Sequence, residues 1–239
     1  MASEIYPTVP EAAIKGTVRT NLDSPEPTKE QLKRKAKYTK LVASFNVPVS
    51  ESLPVIEDSK SIKPRSAEEI AKRAIAVAVA AVKGEGMPHD EVMGIVKEWG
   101  IISYFSPEEL QFINKPNVTD QERLKFAWRY EGLDVLLWAL GYKADLPEPN
   151  QICNLKDDVG IVVNNKGILL TKHSKVRSIN EMLDMADYYY RLHWAAIELR
   201  LNGESSETIN EEIIMERHYA LNWLIRYMGQ EWDDISTDT

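Results

Sequence analysis

The sequence predicts an all-α protein, an irregular multi-helix bundle with an extended N-terminal arm. Three observations carry this expectation. Ser66-x-x-Glu69, Ser106-x-x-Glu109, Thr119-x-x-Glu122 and Ser178-x-x-Glu181 all match the capping box, in which a hydroxyl and a carboxylate satisfy the free N–H groups of a helix start. Gly84, Gly100, Gly141, Gly203 and Gly229 stand where such helices stop. Between starts and stops, apolar residues recur at i, i+3, i+4 and i+7.

In chain order, residues 1–27 are rich in Pro, Thr and acids without a period and read as a loosely ordered lead-in. Residues 28–43 form a basic helix with six Lys/Arg between Lys29 and Lys40. Its apolar stripe is Leu32, Ala36 and Ala43, and a solvated face is preferred over a surface for nucleic acid or membranes. Residues 46–64 carry three prolines and read as an extended connector, so that 1–64 is the arm and 65–239 the helical domain.

The domain's helices are expected at 67–83, 89–99, 107–113, 120–140, 179–202 and 211–228. The first is apolar nearly all round beyond Arg73 and belongs at the centre of the bundle. The core stripes are Phe126, Tyr130, Leu133, Leu137 and Leu140; then Leu183, Ala186, Tyr190, Trp194, Ile197 and Leu201; then Leu221, Leu224, Ile225 and Met228. Residues 159–170 admit either one short hairpin around Asn-Asn-Lys-Gly or a helix end and loop, the helical reading being preferred.

Composition narrows the class. The longest apolar run, Ala74 to Val82, is nine residues, whereas a membrane-spanning helix needs about 20. The start lacks the basic-then-apolar layout of a signal peptide, and the single Cys153 excludes an internal disulfide, so a cytoplasmic setting is expected. Residues 1–83 hold 14 Lys/Arg against 10 Asp/Glu, whereas 84–239 hold 15 against 27. That acidic body disfavours nucleic acid as a partner.

Phosphate loops, dinucleotide fingerprints, zinc motifs and nucleophile elbows are all missing. What stands out instead is polar residues set into aromatic helices: Trp128-Arg129-Tyr130-Glu131, Arg191-Leu192-His193-Trp194 and Glu216-Arg217-His218-Tyr219. His218 shares a face with Leu221 and Ile225, and Asn222 extends the polar strip by one turn. A pocket built from them would use His193, His218 and Glu216 as acid–base groups, or the two histidines as metal ligands. Arg129, Glu131, Arg191, Arg217 and Asn222 would bind the ligand, with Arg129 or Arg217 gripping an anion. The competing reading is a structural network, because buried charges must find one another. His89 and His173 have no evident place near these groups. After Gly229, Trp232 is expected to pack back on the bundle as a plug, with Asp233 and Asp234 either solvated or completing a site.

Four strings, RSAEEIAKRAIA, WRYEGLDVLLWALGY, YYYRLHWAAIELRLNG and ERHYALNWLIRYMGQEWDDISTDT, together resemble a family of bacterial proteins catalogued as a domain of unknown function. Motifs like Trp-Arg-Tyr-Glu, Leu-Trp-Ala-Leu-Gly, Arg-Leu-His-Trp and Arg-His-Tyr-Ala-Leu-Asn-Trp recur there in this order, and the resemblance covers roughly Arg65 to Thr239, with the basic helix and the connector before it as a looser part. It implies a bacterial origin and one domain, and it assigns no activity, cofactor or catalytic residue. The preferred function is a non-enzymatic binding or interaction module for a protein partner or small anionic ligand. The alternative is a hydrolase-type enzyme acting on a small anion through the His/Arg/Glu cluster. A nucleic-acid adaptor working through residues 29–40 ranks third. Cofactor and oligomeric state are left open.

Overall fold

Helix α2 (Ala67–Gly84) organises the molecule. Ile70, Ala71 and every residue from Ala74 to Ala81 are buried, so the apolar stretch beyond Arg73 lies where water reaches no side of it, while the side chains of Glu68 and Lys72 in the first turns reach solvent. The computed structural model describes residues 26–165 and 176–239. Around α2 pack α3 (His89–Trp99), α4 (Pro107–Asn114), α5 (Asp120–Ala127), α6 (Tyr130–Ala139) and α7 (Leu155–Asn164). On the far side of α6 lies α9 (Glu211–Leu224), then α8 (Ile179–Leu201), then α1 (Lys29–Ala43). No strand occurs among the described residues. The chain is mainly α, as predicted.

All four expected capping boxes form, each with its hydroxyl accepting from the third helical N–H and its Glu accepting from the cap N–H. Thr28 and Gln31 make a fifth at the start of α1. Gly100, Gly141 and Gly203 all have positive φ at their stops, and Gly229 has it at the end of a short 3-10 turn. Gly84 does not, and its role is different. A Cβ there would stand 2.7 Å from the Ala127 nitrogen and 2.8 Å from the Arg123 carbonyl oxygen. The missing side chain is what lets α5 cross against α2. Gly84→Ala must move backbone, and a loss of about 1–3 kcal/mol in a urea melt is expected.

Several expectations need correction. The helix predicted over 120–140 divides, because Arg129 N–H and Glu131 N–H reach back only three residues, to Phe126 and Trp128, and tighten the turn there. The helix predicted to 228 stops at Leu224. Arg65 takes its last carbonyls, through its backbone N–H to Leu224 at 2.9 Å and its Nε to Trp223 at 3.3 Å. Met228 therefore leaves the core and is 66% exposed. Leu201 is exposed too, while Tyr189, Leu192 and Leu199 are buried, because α8 is covered by α9 on one side and α1 on another. Of residues 159–170, the part up to Asn165 is the end of α7 and its cap, in line with the helical reading, and the remainder lies outside the described residues.

On α1 the buried face is Arg34, Tyr38, Thr39 and Val42, whereas Leu32, Ala36 and Ala43 are exposed. Asp184 on α8 selects this face. Its carboxylate accepts from Arg34 Nε at 3.1 Å, Lys37 Nζ at 3.0 Å and the Tyr38 hydroxyl at 3.0 Å. The connector then runs back along α1, held by Lys35 Nζ on the Glu51 and Leu53 carbonyls and by Gln31 on the Ile56 carbonyl.

Candidate functional site

The residues singled out in the sequence lie on α6, α8 and α9 and in the turn before α6, and they form separate pairs, with Arg191 Nη1 left buried without a partner. Arg217, fully buried on α9, directs Nε and Nη2 at one oxygen of Glu131 on α6, both at 2.8 Å. The other Glu131 oxygen accepts the Cys153 N–H at 2.8 Å. Arg217 Nη1 donates to the Pro147 carbonyl and the Tyr189 hydroxyl, and Nη2 to the Gln151 carbonyl. One guanidinium thus joins α6, α8, α9 and the loop at 147–153, and each of its three nitrogens is engaged.

Arg191 pairs with Asp187 one turn earlier on α8, Nε at 2.9 Å and Nη2 at 2.8 Å. Arg129 reaches Glu216 at 3.0 Å while lying 4.2 Å over the Tyr219 ring. Burial lifts the Glu216 carboxyl above its ordinary range, and Arg129 opposes that lift. Asn222 donates to the Ser236 carbonyl at 2.8 Å and so anchors the segment after α9.

His193 and His218 face each other, Nδ1 to Nδ1 at 3.0 Å with the rings edge to face. Burial depresses His193 to about 4 and holds His218 well below its usual value, where His193 adds to the effect. At neutral pH both rings are uncharged, one donating to the other. No group of three His, Cys, Asp or Glu able to hold a metal occurs among the described residues. Neither Arg217 nor Glu216 bonds to the histidine pair. His89 lies at the start of α3 beside Lys83, whose ammonium caps the last carbonyls of α4 at Phe112, Ile113 and Lys115. His173 lies outside the described residues.

Sequence reading misses the partners. Asp187 is detectable, since Asp and Arg four apart on one helix face pair readily. Asp134 is detectable as one of two acids, with Glu131, inside an otherwise apolar helix. With Asp158 of α7 it shares the ammonium of Lys143, which is 2.6 Å from Asp158. That pairing joins residues from three chain segments and leaves no local signal. Burial lifts Asp158 to about 6, Asp134 adding to the lift and Lys143 opposing it. A carboxyl raised in the fold stabilises it below about pH 4, and the benefit disappears as pH rises through about 6. Asp158→Asn should therefore gain about 1–3 kcal/mol at pH 8 and nothing at pH 3.5, read from urea midpoints at the two pH values. Beside this cluster Cys153 is buried, and burial pushes its thiol up, away from the thiolate form.

The sequence matches the family described as a domain of unknown function (DUF4272) over residues 34–235, and the chain belongs to that family. The match begins within α1, so it takes in part of the basic helix and the whole connector, the part expected to match more loosely. No curated protein and no solved structure matches the chain. No helix among the described residues is long and apolar enough to cross a membrane.

Proposed function

We propose that the chain is a non-enzymatic interaction module that docks another polypeptide, in the cytoplasm of a bacterial cell. The observation that carries this reading is that the charges of the polar cluster are spent on one another. Arg217 on Glu131, Arg191 on Asp187 and Arg129 on Glu216 are all buried or nearly so. Releasing any of these groups to a substrate would strand a charge in the core. Two uncharged histidines bonded to each other likewise fix how α8 meets α9. The four recurring motifs support the bacterial setting, and the lone buried Cys153 supports a reducing compartment.

Native mass spectrometry of untagged protein, purified from its own host without chelator, tests the reading. The expected species is the bare chain, or the chain with a second protein or further copies of itself. A metal ion or metabolite at near-unit occupancy would overturn it and return the histidine pair to the centre of the search.

A further inference from the structure

The geometry points to a displaceable latch: residues 230–239 hold Trp232 in a slot that also receives an acidic-aromatic segment of a partner protein. This proposal rests on the interaction-module reading above. It begins with Trp232, which is 4% exposed although it belongs to no long helix. Its ring meets Tyr219 and Trp223 of α9 edge to face, centroids 5.2 and 5.5 Å away, while the Arg73 guanidinium of α2 lies 5.0 Å over it. On α6 the ring reaches Gly132, passing 3.7 Å from where a Cβ would stand.

The slot also reads what flanks the ring. Arg65 grips the Gln230 carbonyl at 2.8 Å and the Glu231 carboxylate at 3.2 Å. The Glu108 N–H, in the first turn of α4, donates to Asp233 at 2.9 Å. The Tyr219 hydroxyl donates to the Trp232 carbonyl. A tryptophan between two carboxylates, at the start of a single 3-10 turn whose Gln230 and Trp232 carbonyls stay open, is the chemistry these groups select.

Two further observations say that the occupant can be exchanged. First, the fit is incomplete. Arg73 Nε, Trp223 Nε1 and one oxygen of Glu109 are buried around this slot without a hydrogen-bond partner, though all three residues are more than nine-tenths buried. Folded proteins seldom leave such atoms unpaired, and a ligand with its own donors and acceptors would use them. Second, the link to α9 is strained. Arg226 and Met228 hold φ of 55° and 53°, a left-handed backbone that residues with a Cβ adopt at a cost, and Met228 points to solvent. Release of the segment lets both relax while it uncovers Tyr219 and Trp223, the face a partner's tryptophan would take.

The test uses the full-length chain and a fluorescein-labelled peptide with the sequence of residues 229–239. The chain with Trp232→Ala should bind the peptide with a micromolar Kd. Wild type should bind about tenfold or more weakly, because its own segment must leave first. A peptide with alanine for tryptophan should bind neither. A folded Trp232→Ala chain that ignores the peptide overturns the proposal. Should that variant not fold, hydrogen exchange on wild type decides. The Ser236 amide, bonded to Gln230, is expected to exchange about 100-fold faster than the α2 amides. Equal protection would mean the segment leaves only on global unfolding, and the latch would fall. A latch that fails while native mass spectrometry recovers a second protein leaves the interaction reading intact, whereas a bound metal or metabolite removes that reading itself.

Discussion

Arg217→Met is expected to lower unfolding free energy by about 3–5 kcal/mol, a larger loss than Gly84→Ala should give. Arg217 is fully buried and engages a carboxylate, a phenol and three carbonyls. Removing it leaves Glu131, 1% exposed, holding a negative charge against the Cys153 N–H alone. The loop at 147–151 loses its tether to α9 in the same step while keeping its bonds to Glu207 and Asn210. Much of this cost is the stranded charge, so Glu131→Leu combined with Arg217→Met should recover a large part of it. Urea melts of both single variants and the double complete the cycle. Losses that simply add would show that the pair does not act as a unit.

The second large effect is acid sensitivity. A histidine whose folded pKa lies below its unfolded value of about 6.5 stabilises the fold above that pH and withdraws the support as pH falls. For His193, depressed to about 4, the window runs from about pH 6.5 to 4, and the loss is about 3 kcal/mol. His218 moves in the same direction, and two protonated rings at 3.0 Å repel. The thermal midpoint should therefore drop steeply between pH 6.5 and 4 in wild type. In the chain carrying His193→Gln and His218→Asn, amides keep a hydrogen bond and do not titrate, so the slope should flatten. An equally steep slope in that chain would move the acid sensitivity to other groups.

How much of this is legible in the sequence depends on distance along the chain. Helix starts are, because a capping box is a contact between residues three apart, and all four form. The centrality of α2 is legible in its unbroken run of Ala, Val and Ile. Gly84 reads as a simple stop, yet its reason for lacking a side chain is the backbone of Ala127, 43 positions away. Periodicity assigns the stripe on α1 to Leu32 and Ala36, but Asp184 turns the helix to bury Arg34 and Tyr38 instead. The candidate cluster is legible as residue types and not as geometry. Sequence marks a histidine or arginine on a buried face, and only the crossing of α6, α8 and α9 decides which group it meets. The partner of Arg217, for instance, is 86 positions away.

The burial of α2 also has a consequence during synthesis. Nearly everything that covers this helix, from α3 through α7, is encoded after it. At about 5–20 residues per second, roughly 4–16 s pass between completion of Gly84 and completion of Asn164. Through that interval the stretch from Ala74 to Val82 emerges from the ribosome before its cover exists. A stretch almost wholly closed to water in the finished molecule is thus open to wrong partners while the molecule is being made.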